Sequence, residues 1–554
     1  MKFSLNYGFA WIEKNVHVAF TFLLLFLGIV VYGIQYASPN QTQWDEVYYI
    51  PPVARYEQGI FFMESHPPLA KLVLTAGDLL FHTNTKVDTS TIVNYDNVDG
   101  GGEKAGTKDD LPPGYNFIGI RFFPVLAAIL LPLVIAAIIR LATGREWLAF
   151  LGGVFVIMDT ALALHFRSAM LDSILLLLMF LAVYSMARVL QSSLSGLKIR
   201  TVDLVLATVF TGLSLSTKYN SLVLLFPLLI IFFLSTYTSP IDLQTTWQKV
   251  DYWILRGAKT WARFLLSLLG IGLIFVSVWA VHFSIANRYD SNLENNMGFF
   301  RSSDQLKAIL QKDGAIKTPS AMFYAIGSGI NFTYAYHEGV PGFDQCEKEA
   351  VAKNEVCNGS EPWMWPLGGR SVNFRWSKFA QETGTINTKT LDDYNNLNAD
   401  EKAKYEVKTA YYSIQSNPFS WFFALLALIS SVGILVFGAV RWWLTKKIPA
   451  SSWFWILGTV FLYSTYMALA LVSSRILYLY HYFFPLILSF ILVGLVLNYI
   501  KVEQSRYFQS ILVIMTILVV FGFIFYAPFV YGLPLSQLEF QLRNWLPTWA
   551  LLKV

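Results

Sequence analysis

Long apolar runs recur along almost the whole chain, and they constrain the fold more than any other feature of the sequence. Each run holds roughly 20 mainly apolar residues, the length that an α-helix needs to cross the hydrocarbon core of a bilayer. We count about eleven such runs, near residues 15–37, 117–140, 146–165, 169–190, 201–217, 219–237, 262–285, 418–441, 451–472, 476–499 and 508–531. The sequence therefore predicts an all-α polytopic membrane protein, with residues 1–554 forming a single integral membrane domain.

The composition agrees with this class of protein. Of the 554 residues, 55% are hydrophobic and only 14% are charged, whereas about 25% of the residues in a soluble domain are charged. The basic residues are scattered singly and form no stripe, which argues against nucleic-acid binding. No small-residue cleavage site follows the first apolar run, so we interpret it as a membrane helix and not as a cleaved signal peptide.

The distribution of Lys and Arg between the short loops predicts the orientation in the membrane. With the N-terminus inside, together with Lys2 and Lys14, every inside loop is basic, and the short outside turns hold only Arg167, Lys218 and Arg475. Cytoplasmic loops carry such an excess of basic residues. We therefore expect an integral plasma (inner) membrane protein with a cytoplasmic N-terminus and an odd number of spans.

Two long segments, at about 38–116 and 286–417, then fall on the external side. Loops of this length are usually functional. In the first, apolar residues share one face of the stretch from His66 to Phe81, which predicts a helix on the membrane surface. The tail of this segment, Asp99–Glu103, is predicted to be a flexible loop, and residues 391–407 of the second segment are predicted to form a soluble helical excursion.

Two adjacent carboxylates, Asp45 and Glu46, stand in the first external segment between the aromatic residues Trp44, Tyr48 and Tyr49. Aromatic side chains of this kind anchor a segment at the level of the lipid headgroups. A carboxylate held there could take a proton from a reacting hydroxyl, or it could bind a divalent cation. The alternative is ordinary solvation of acidic residues at the end of a membrane span.

Basic side chains gather at the same level, at Arg121, Arg167, Lys218, Arg475 and His481. Each one alone could be an interface residue that extends its charge to water. Together they suit a lipid phosphate, because Arg and Lys donate charge-assisted hydrogen bonds to phosphate oxygens. No cytoplasmic loop is long enough for a soluble nucleotide-sugar domain, so we expect the activated group to be carried on a lipid.

Several motifs resemble those of protein O-mannosyltransferases, and they follow that family's order over most of the chain. The first external segment carries Trp44-Asp45-Glu46 and His66-Pro67-Pro68-Leu69-Ala70-Lys71. Further matches are Met170-Leu171-Asp172-Ser173, Ser216-Thr217-Lys218-Tyr219, Tyr336-His337-Glu338, Glu361-Pro362-Trp363-Met364-Trp365-Pro366-Leu367 and Tyr480-His481-Tyr482-Phe483. The Pro-Trp-x-Trp-Pro-Leu run is the most specific of these, and the size of the chain resembles the bacterial branch of the family.

The resemblance implies a C-type glycosyltransferase fold with eleven spans. It implies an enzyme that moves mannose from a polyprenyl-phosphate donor to Ser or Thr hydroxyls of exported proteins, with inversion of the anomeric centre. Asp45 would then be the general base, and Glu46 would help to position substrate. The implied donor-phosphate or substrate contacts are His66, Lys71, Arg121, Arg167, Asp172, Lys218, Arg475 and His481. The implied cavity wall comprises Tyr336, His337, Trp363 and Trp365, although the two Trp residues could equally be interfacial anchors.

The chain departs from the family pattern just before the Trp-rich motif. Residues 344–357 are inserted there, and Asn358-Gly359-Ser360-Glu361 stands where the family often has a His-Pro-Tyr-like run. The insert contains both cysteines of the chain, Cys346 and Cys357. On the oxidising external side they could form a disulfide or remain two separate thiols.

Two other functions are compatible with parts of the sequence. A related transferase with the same lipid donor could act on a glycolipid or a cell-envelope glycan. A transporter would be expected to carry charges near the middle of the membrane and repeats of opposite topology, whereas the charges of this chain gather at one face. We therefore favour the protein transferase, with a divalent cation left open as a cofactor.

Overall fold

The computed structural model describes residues 15–93, 111–195, 197, 199–237, 246–291, 299, 301–352, 357–546 and 549, with the side chains of residues 91, 93, 235–237, 246–249 and 251–253 excepted. The predictions for Lys2, Lys14 and Asp99–Glu103 lie outside these residues. Within them the chain is mostly helical, as predicted.

The helices of the first half of the chain are α1 Val16–Gly28 (continued by the π-helical turn Ile29–Gly33), α2 Glu46–Gln58, α3 Leu69–Phe81, α4 Ser90–Val93, α5 Ile118–Thr143, α6 Glu146–Ile157, α7 Thr160–Arg167, α8 Asp172–Leu194, α9 Thr201–Leu215, α10 Leu225–Tyr237 and α11 Thr246–Ile285. The second half contributes α12 Asp304–Asp313, α13 Pro319–Gly339, α14 Phe343–Ala352, α15 Leu391–Asn395, α16 Ala399–Lys402, α17 Pro418–Thr445, α18 Ser451–Leu471, α19 Phe483–Tyr499, α20 Phe508–Tyr531 and α21 Gln537–Gln541. Short 3-10 helices are Tyr219–Leu224, Pro362–Leu367, Leu479–Tyr482 and Val502–Gln504.

The number of membrane spans differs from the predicted eleven. Among the described residues, 8 helices are long and apolar enough to cross a membrane, or 9 if α6 and α7, which meet at a 60° bend, form one span. The apolar helices Thr201–Leu215 and Tyr219–Leu234 are shorter than a full span. Each of the eleven apolar runs is therefore helical, but three of them are broken or short, which the apolar pattern alone did not reveal.

The bend between α6 and α7 is held by polar side chains from the start of α17. Asp159 begins α7, and its carboxylate accepts hydrogen bonds from the backbone N–H of Leu162 at 3.1 Å and from the side chains of Ser420 and Trp421, both at 2.8 Å. The Asn417 amide donates to the Met158 carbonyl at 2.8 Å. A break inside a membrane-buried helix is tolerated when neighbouring side chains satisfy the freed polar groups in this way.

The core of the membrane part is the helix Leu479–Tyr499, of which 89% is buried inside the protein. It packs against α5, α6, α17 and α18. By contrast, only 22% of the apolar windows in α1, α11 and α17 is buried. Their exposed apolar side chains belong in lipid, since a surface of that size is unfavourable in water.

A small antiparallel sheet in the second long segment was not predicted. The segment 391–407 contains only the short helices α15 and α16 before a strand begins, so the predicted helical excursion is wrong there. The strands are β1 Val372–Glu382, β2 Thr388–Lys389, β3 Tyr405–Ile414 and β4 Pro534–Leu535, in the order β2-β1-β3-β4. Because β4 lies beyond the last membrane helix, its pairing depends on contacts that no local sequence pattern contains.

The surface helix α3 is present, but its polar face is turned inward. Lys71 and Asp78 are buried, whereas Leu79 and Leu80 are exposed, together with the neighbouring Phe81. The exposed side of the helix is therefore apolar, which suits contact with a membrane surface. The charged side chains instead face the rest of the first external segment.

Candidate active site

The two adjacent acids point into different surroundings. Successive residues at the start of a helix are turned by about 100° from each other, and α2 begins at Glu46, directly after Asp45. Glu46 is 0% exposed, whereas Asp45 is only partly buried. The preceding residue, Trp44, adopts a positive φ of 42°, a costly backbone conformation for a bulky residue that occurs most often at functional sites.

Glu46 and Arg121 form a bidentate ion pair that is closed to solvent. Arg121 Nε and one terminal nitrogen donate to the two carboxylate oxygens, each at 2.7 Å, and both side chains are 0% exposed. The other carboxylate contacts are the backbone N–H groups of Gln43 at 2.8 Å and Ala169 at 2.6 Å. Glu46 therefore joins the first external segment to α5 and to the turn after α7.

The remaining donors of Arg121 are used by backbone carbonyls. They donate to Ala37, Pro39 and Gln41 at distances of 2.8, 2.7 and 2.9 Å. With the two bonds to Glu46, all five N–H groups of the guanidinium are occupied. No donor is left for a lipid phosphate, so the predicted phosphate-binding role does not fit the geometry of Arg121.

Arg167 is engaged in a similar way at the end of the first helix. Its guanidinium donates to the carbonyls of Val31, Tyr32 and Ile34 at 2.9 to 3.0 Å and to that of Gln35 at 3.1 Å. The last carbonyls of a helix lack partners within the helix, and Arg167 supplies them. This arrangement also argues against a phosphate contact for Arg167.

Asp45 faces a different group of side chains. The Tyr480 hydroxyl donates to its carboxylate at 3.3 Å, and Tyr480 itself is buried. Burial raises the pKa of Asp45 to about 6, against the opposing effects of the nearby charges of Lys218 and Arg475. A carboxylate with this pKa is largely ionised at neutral pH and is a stronger base than an ordinary Asp, which is the property that a general base needs.

Lys218 is held beside this site by an acid on the neighbouring helix. Its ammonium donates to both oxygens of Asp172, at 2.8 and 2.9 Å, and Asp172 also contacts His165 Nε2 at 2.9 Å. The ammonium lies 5.9 Å from the centre of the Tyr480 ring. Asp172 therefore positions a cation next to Asp45.

Arg475, His337 and His66 form the other side of the site. Arg475 contacts His337 through a terminal nitrogen, and the ring centres of His66 and His337 are 5.2 Å apart. Burial lowers the pKa of His337 to about 4 and lowers that of His66 well below its usual range, with Lys218 and Arg475 adding to both effects. The two imidazoles are therefore neutral at pH 7. Within the described part of the chain, Arg475 Nε is buried without a hydrogen-bond partner.

Two predicted residues sit at the edges of this group. Tyr336 is partly buried and close enough to Asp45 for the carboxylate to help raise the pKa of its hydroxyl, although burial is the larger cause. His481 stacks on Tyr480 with ring centres 4.6 Å apart, and its Nδ1 accepts the backbone N–H of Tyr478 at 3.1 Å. Both residues thus lie in the surroundings of Asp45.

Lys71 is paired with a carboxylate that the sequence reasoning missed. It contacts Glu64, and both side chains are buried. Burial raises the pKa of Glu64 and lowers that of Lys71, and it outweighs their mutual attraction in both cases. The ammonium also lies 5.4 Å from the centre of the Tyr49 ring. The pair joins α3 to the loop that carries His66.

The two Trp residues of the Trp-rich motif have different environments. Trp365 is 0% exposed and donates from Nε1 to the Ser360 hydroxyl at 2.8 Å, so it is a core residue and not part of a cavity wall. Trp363 is 58% exposed, and its indole N–H is bonded to Glu361 at 3.0 Å. Only Trp363 is therefore accessible to a ligand.

Sequence reasoning missed three residues that shape the site: Glu64, His165 and Tyr480. Tyr480 could have been found, because it lies in a quoted family motif next to His481. Glu64 and His165 become visible only through their partners. Within the described residues, no group of three or more His, Cys, Asp or Glu side chains comes together that could hold a metal ion.

Comparisons with known proteins agree with this architecture. The family model for dolichyl-phosphate-mannose-protein mannosyltransferase matches residues 21–287, and the model for the C-terminal four TMM region of protein-O-mannosyltransferase matches residues 346–549. The chain is 23% identical over 340 residues to dolichyl-phosphate-mannose--protein mannosyltransferase 1 of Candida albicans, covering 60% of this chain and 34% of the relative. It is 26% identical over 169 residues to protein O-mannosyltransferase 1 of Drosophila pseudoobscura pseudoobscura, covering 30% of this chain and 17% of the relative. The matched regions thus span about a third or less of the length of these curated relatives.

A solved structure shares the fold. The S. cerevisiae protein O-mannosyltransferase Pmt1-Pmt2 complex, whose structure was determined with the sugar donor bound, has a TM-score of 0.67 at 13% sequence identity, covering 96% of this chain and 92% of that chain. The structure therefore has the C-type glycosyltransferase fold. Because the two family models together match most of its length, the chain belongs to the protein O-mannosyltransferase family.

Proposed function

We propose that this protein transfers mannose from a polyprenyl-phosphate-mannose donor to Ser or Thr hydroxyls of exported proteins. The observation that carries the proposal is the ionised Asp45 carboxylate beside the cations Lys218 and Arg475. Membership of a family whose model is described by dolichyl-phosphate-mannose supports a lipid-linked donor. The yeast complex of the same fold, which is bound to the sugar donor, supports a donor site in this architecture.

In the proposed reaction, the acceptor hydroxyl oxygen attacks C1 of mannose while its proton passes to Asp45. The bond between C1 and the phosphate oxygen breaks, and its electron pair leaves with the phosphate. Because the hydroxyl attacks from the side opposite the phosphate, the configuration at C1 inverts. Removing the proton during attack is needed because a free hydroxyl is a weak nucleophile at neutral pH.

The proposed donor-phosphate site is smaller than the cationic set predicted from the sequence. It comprises Lys218 and Arg475, with the neutral imidazoles of His66 and His337 and the ring of His481 beside them. Fixed cations stabilise the charge that develops on a departing phosphate, and they do so most strongly in a water-poor site. Arg121 and Arg167 are proposed instead to position the first external segment through their carbonyl contacts.

The acceptor is proposed to approach past the exposed ring of Trp363 and the hydroxyl of Tyr336. Aromatic faces of this kind can contact a sugar or an extended peptide, and the Tyr336 hydroxyl lies near Asp45. The excess of Lys and Arg in the short loops on the opposite side supports an external location for this site. Exported polypeptides and the lipid bilayer are therefore the proposed partners.

The test is mannosyl transfer by the purified protein in lipid nanodiscs, with polyprenyl-phosphate mannose and a Ser/Thr-rich peptide. The wild type should mannosylate the peptide with the anomeric configuration opposite to that of the donor. Asp45→Asn should lower the rate by about 10²- to 10⁴-fold, the usual contribution of a general base. Asp88→Asn changes an exposed acid in the same external segment and should leave the rate unchanged.

Two results would contradict the proposal. Transfer to a glycolipid or glycan acceptor, with none to any peptide, would replace the protein acceptor. Full turnover by a correctly inserted Asp45→Asn variant would remove Asp45 as the base.

A further inference from the structure

The described residues of the inserted segment, 344–352 and 357, pack against the stretch of chain that carries Arg475. Cys346 and Cys357 are joined by a disulfide with their Cα atoms 5.7 Å apart, which decides between the two states left open by the sequence. Cys357 and Ala350 form a small buried apolar cluster with Ile476, and Cys346 and Tyr478 pack against it. The disulfide therefore contacts the segment 474–478, which none of the roles assigned above explains.

Backbone hydrogen bonds hold residues 474–478 to the chain before Cys346 and to the chain after Cys357. The Ile476 N–H donates to the Pro341 carbonyl at 2.8 Å, and the Ser360 N–H donates to the Leu477 carbonyl at 2.8 Å. Pro341 precedes Cys346 and Ser360 follows Cys357. The disulfide therefore joins the two stretches of this chain that hold residues 474–478. The contact is tight, because a Cβ atom at Gly359 would lie 2.5 Å from the Ile476 side chain.

A second clip connects the same region to the chain after the Trp-rich motif. Arg370 donates to the Cys357 carbonyl at 3.2 Å and forms an ion pair with Glu347. Its guanidinium lies 5.0 Å from the centre of the Phe343 ring. The disulfide thus joins the two pieces of chain that hold residues 474–478.

The clamped segment carries groups that face the candidate site. Arg475 contacts His337, and its charge acts on Asp45. Tyr478 packs edge-on against Trp44, with ring centres 5.6 Å apart, directly beside Asp45. Within the described residues, Arg475 Nε has no hydrogen-bond partner. The direction of the Arg475 side chain therefore depends on its contact with His337 and on the backbone that the neighbouring hydrogen bonds hold.

We infer that the Cys346–Cys357 disulfide is a positioning element that holds Arg475 in the orientation for binding the phosphate group of the donor. The inference rests on the donor-phosphate site of the proposed function. A cross-link lowers the conformational freedom of the chain segment that it closes. Here that segment contacts the backbone beside Arg475, the proposed binding residue. Breaking the disulfide frees the backbone at Arg475 and weakens phosphate binding.

The experiment measures binding of polyprenyl phosphate, without a sugar, to the full-length protein in nanodiscs by isothermal titration calorimetry. Oxidised wild type is compared with wild type reduced by a phosphine after folding, and with the double variant Cys346→Ser/Cys357→Ser. Reduced wild type and the double variant should each bind polyprenyl phosphate about tenfold more weakly than oxidised wild type. This is the effect of one lost charge-assisted hydrogen bond. The reductant should not change binding to the double variant, since the chain has only these two cysteines.

An Arg475→Gln background separates positioning from simple stabilisation. If the disulfide acts through Arg475, Arg475→Gln weakens binding about tenfold in the oxidised protein, and reduction then changes it less than about twofold, because effects on one shared contact are not additive. Equal affinity of oxidised and reduced wild type, or an equal loss on reduction in both backgrounds, would overturn the inference. Transfer assays report separately on the proposed function: redox-dependent phosphate binding without mannosyl transfer would refute that function and leave this inference standing.

Discussion

Replacing Glu46 with Gln tests whether the Glu46–Arg121 pair builds the site or binds substrate. The substitution keeps the size of the side chain and removes its charge. The Arg121 guanidinium would then stay buried, with three backbone carbonyls and a neutral amide as its only acceptors among the described residues. The amide NH2 group would also face two donors, because each carboxylate oxygen of Glu46 accepts one N–H bond from Arg121 and one from the backbone.

The expected loss is large because both side chains are fully enclosed. Removing one partner of a buried ion pair costs about 3–5 kcal/mol, since the other charge is left uncompensated. A native domain is stable by only about 5–15 kcal/mol, so Glu46→Gln should lower the unfolding temperature markedly. Binding of polyprenyl phosphate to the protein that remains folded should stay within about twofold of the wild type, because neither side chain faces the phosphate site.

Thermal unfolding followed by tryptophan fluorescence measures the first effect, and calorimetric titration at low temperature measures the second. Glu146→Gln is the matched control: it breaks a partly exposed pair with Arg140, whose side chains are 21% and 33% exposed. Such pairs contribute about 0–1 kcal/mol. An unfolding temperature equal to that of the wild type, combined with loss of phosphate binding, would refute the reasoning and return Arg121 to the donor site.

Mannosyl transfer should fall as the pH drops through about 6, because protonated Asp45 cannot accept the acceptor proton. Tyr480→Phe removes a hydrogen bond that favours the ionised carboxylate and should move this acidic limb to higher pH; a pH–rate profile in which the limb does not move contradicts this. Trp365→Ala should cost about 3–5 kcal/mol of stability, whereas Trp363→Ala should change it by about 0.5 kcal/mol or less. Equal shifts of the unfolding temperature would show that the assigned burial is wrong. Asp159→Ala leaves buried donors without an acceptor and should lower the free energy of unfolding by at least about 2 kcal/mol, measured by thermal unfolding. An unchanged unfolding temperature would show that the bend between α6 and α7 does not need the Asp159 carboxylate.

The acidic pair shows how far sequence reasoning reaches into the site. The position of Asp45 and Glu46 beside aromatic anchors predicted that something reactive lies there. Which acid forms the buried ion pair and which one faces the candidate site depends on the orientation of the start of α2. Only the fold contains that information. The separate exposures of Glu46, at 0%, and of the partly buried Asp45 are consistent with the role inferred for Asp45 from the family resemblance.

The arginines show where the same reasoning fails. Sequence patterns predicted that Arg121 and Arg167 bind a phosphate, but they could not identify the backbone acceptors that the structure shows. Those acceptors are backbone carbonyls between residues 31 and 41, which lie about 80 to 136 positions earlier in the chain. A guanidinium at a membrane surface serves a phosphate or an unsatisfied helix end equally well, so the choice depends on tertiary contacts.

Some parts of the fold could be predicted from the sequence, and others could not. Apolar runs predicted every membrane helix segment, because their length is set by the bilayer itself. The break at Asp159 and the sheet could not be predicted. The acceptor role of Asp159 depends on Ser420 and Trp421, some 260 residues later, and β4 pairs with β3 across α17 to α20.

The order in which the chain is synthesised determines when the site can become reactive. Glu46 is fixed only after Arg121 and Ala169 have emerged, and Asp45 receives its contact with Tyr480 only when most of the chain has been inserted. The surroundings of Asp45 are therefore completed by a residue that is synthesised more than 400 positions later. A nascent chain that ends before Tyr480 therefore lacks this contact to Asp45.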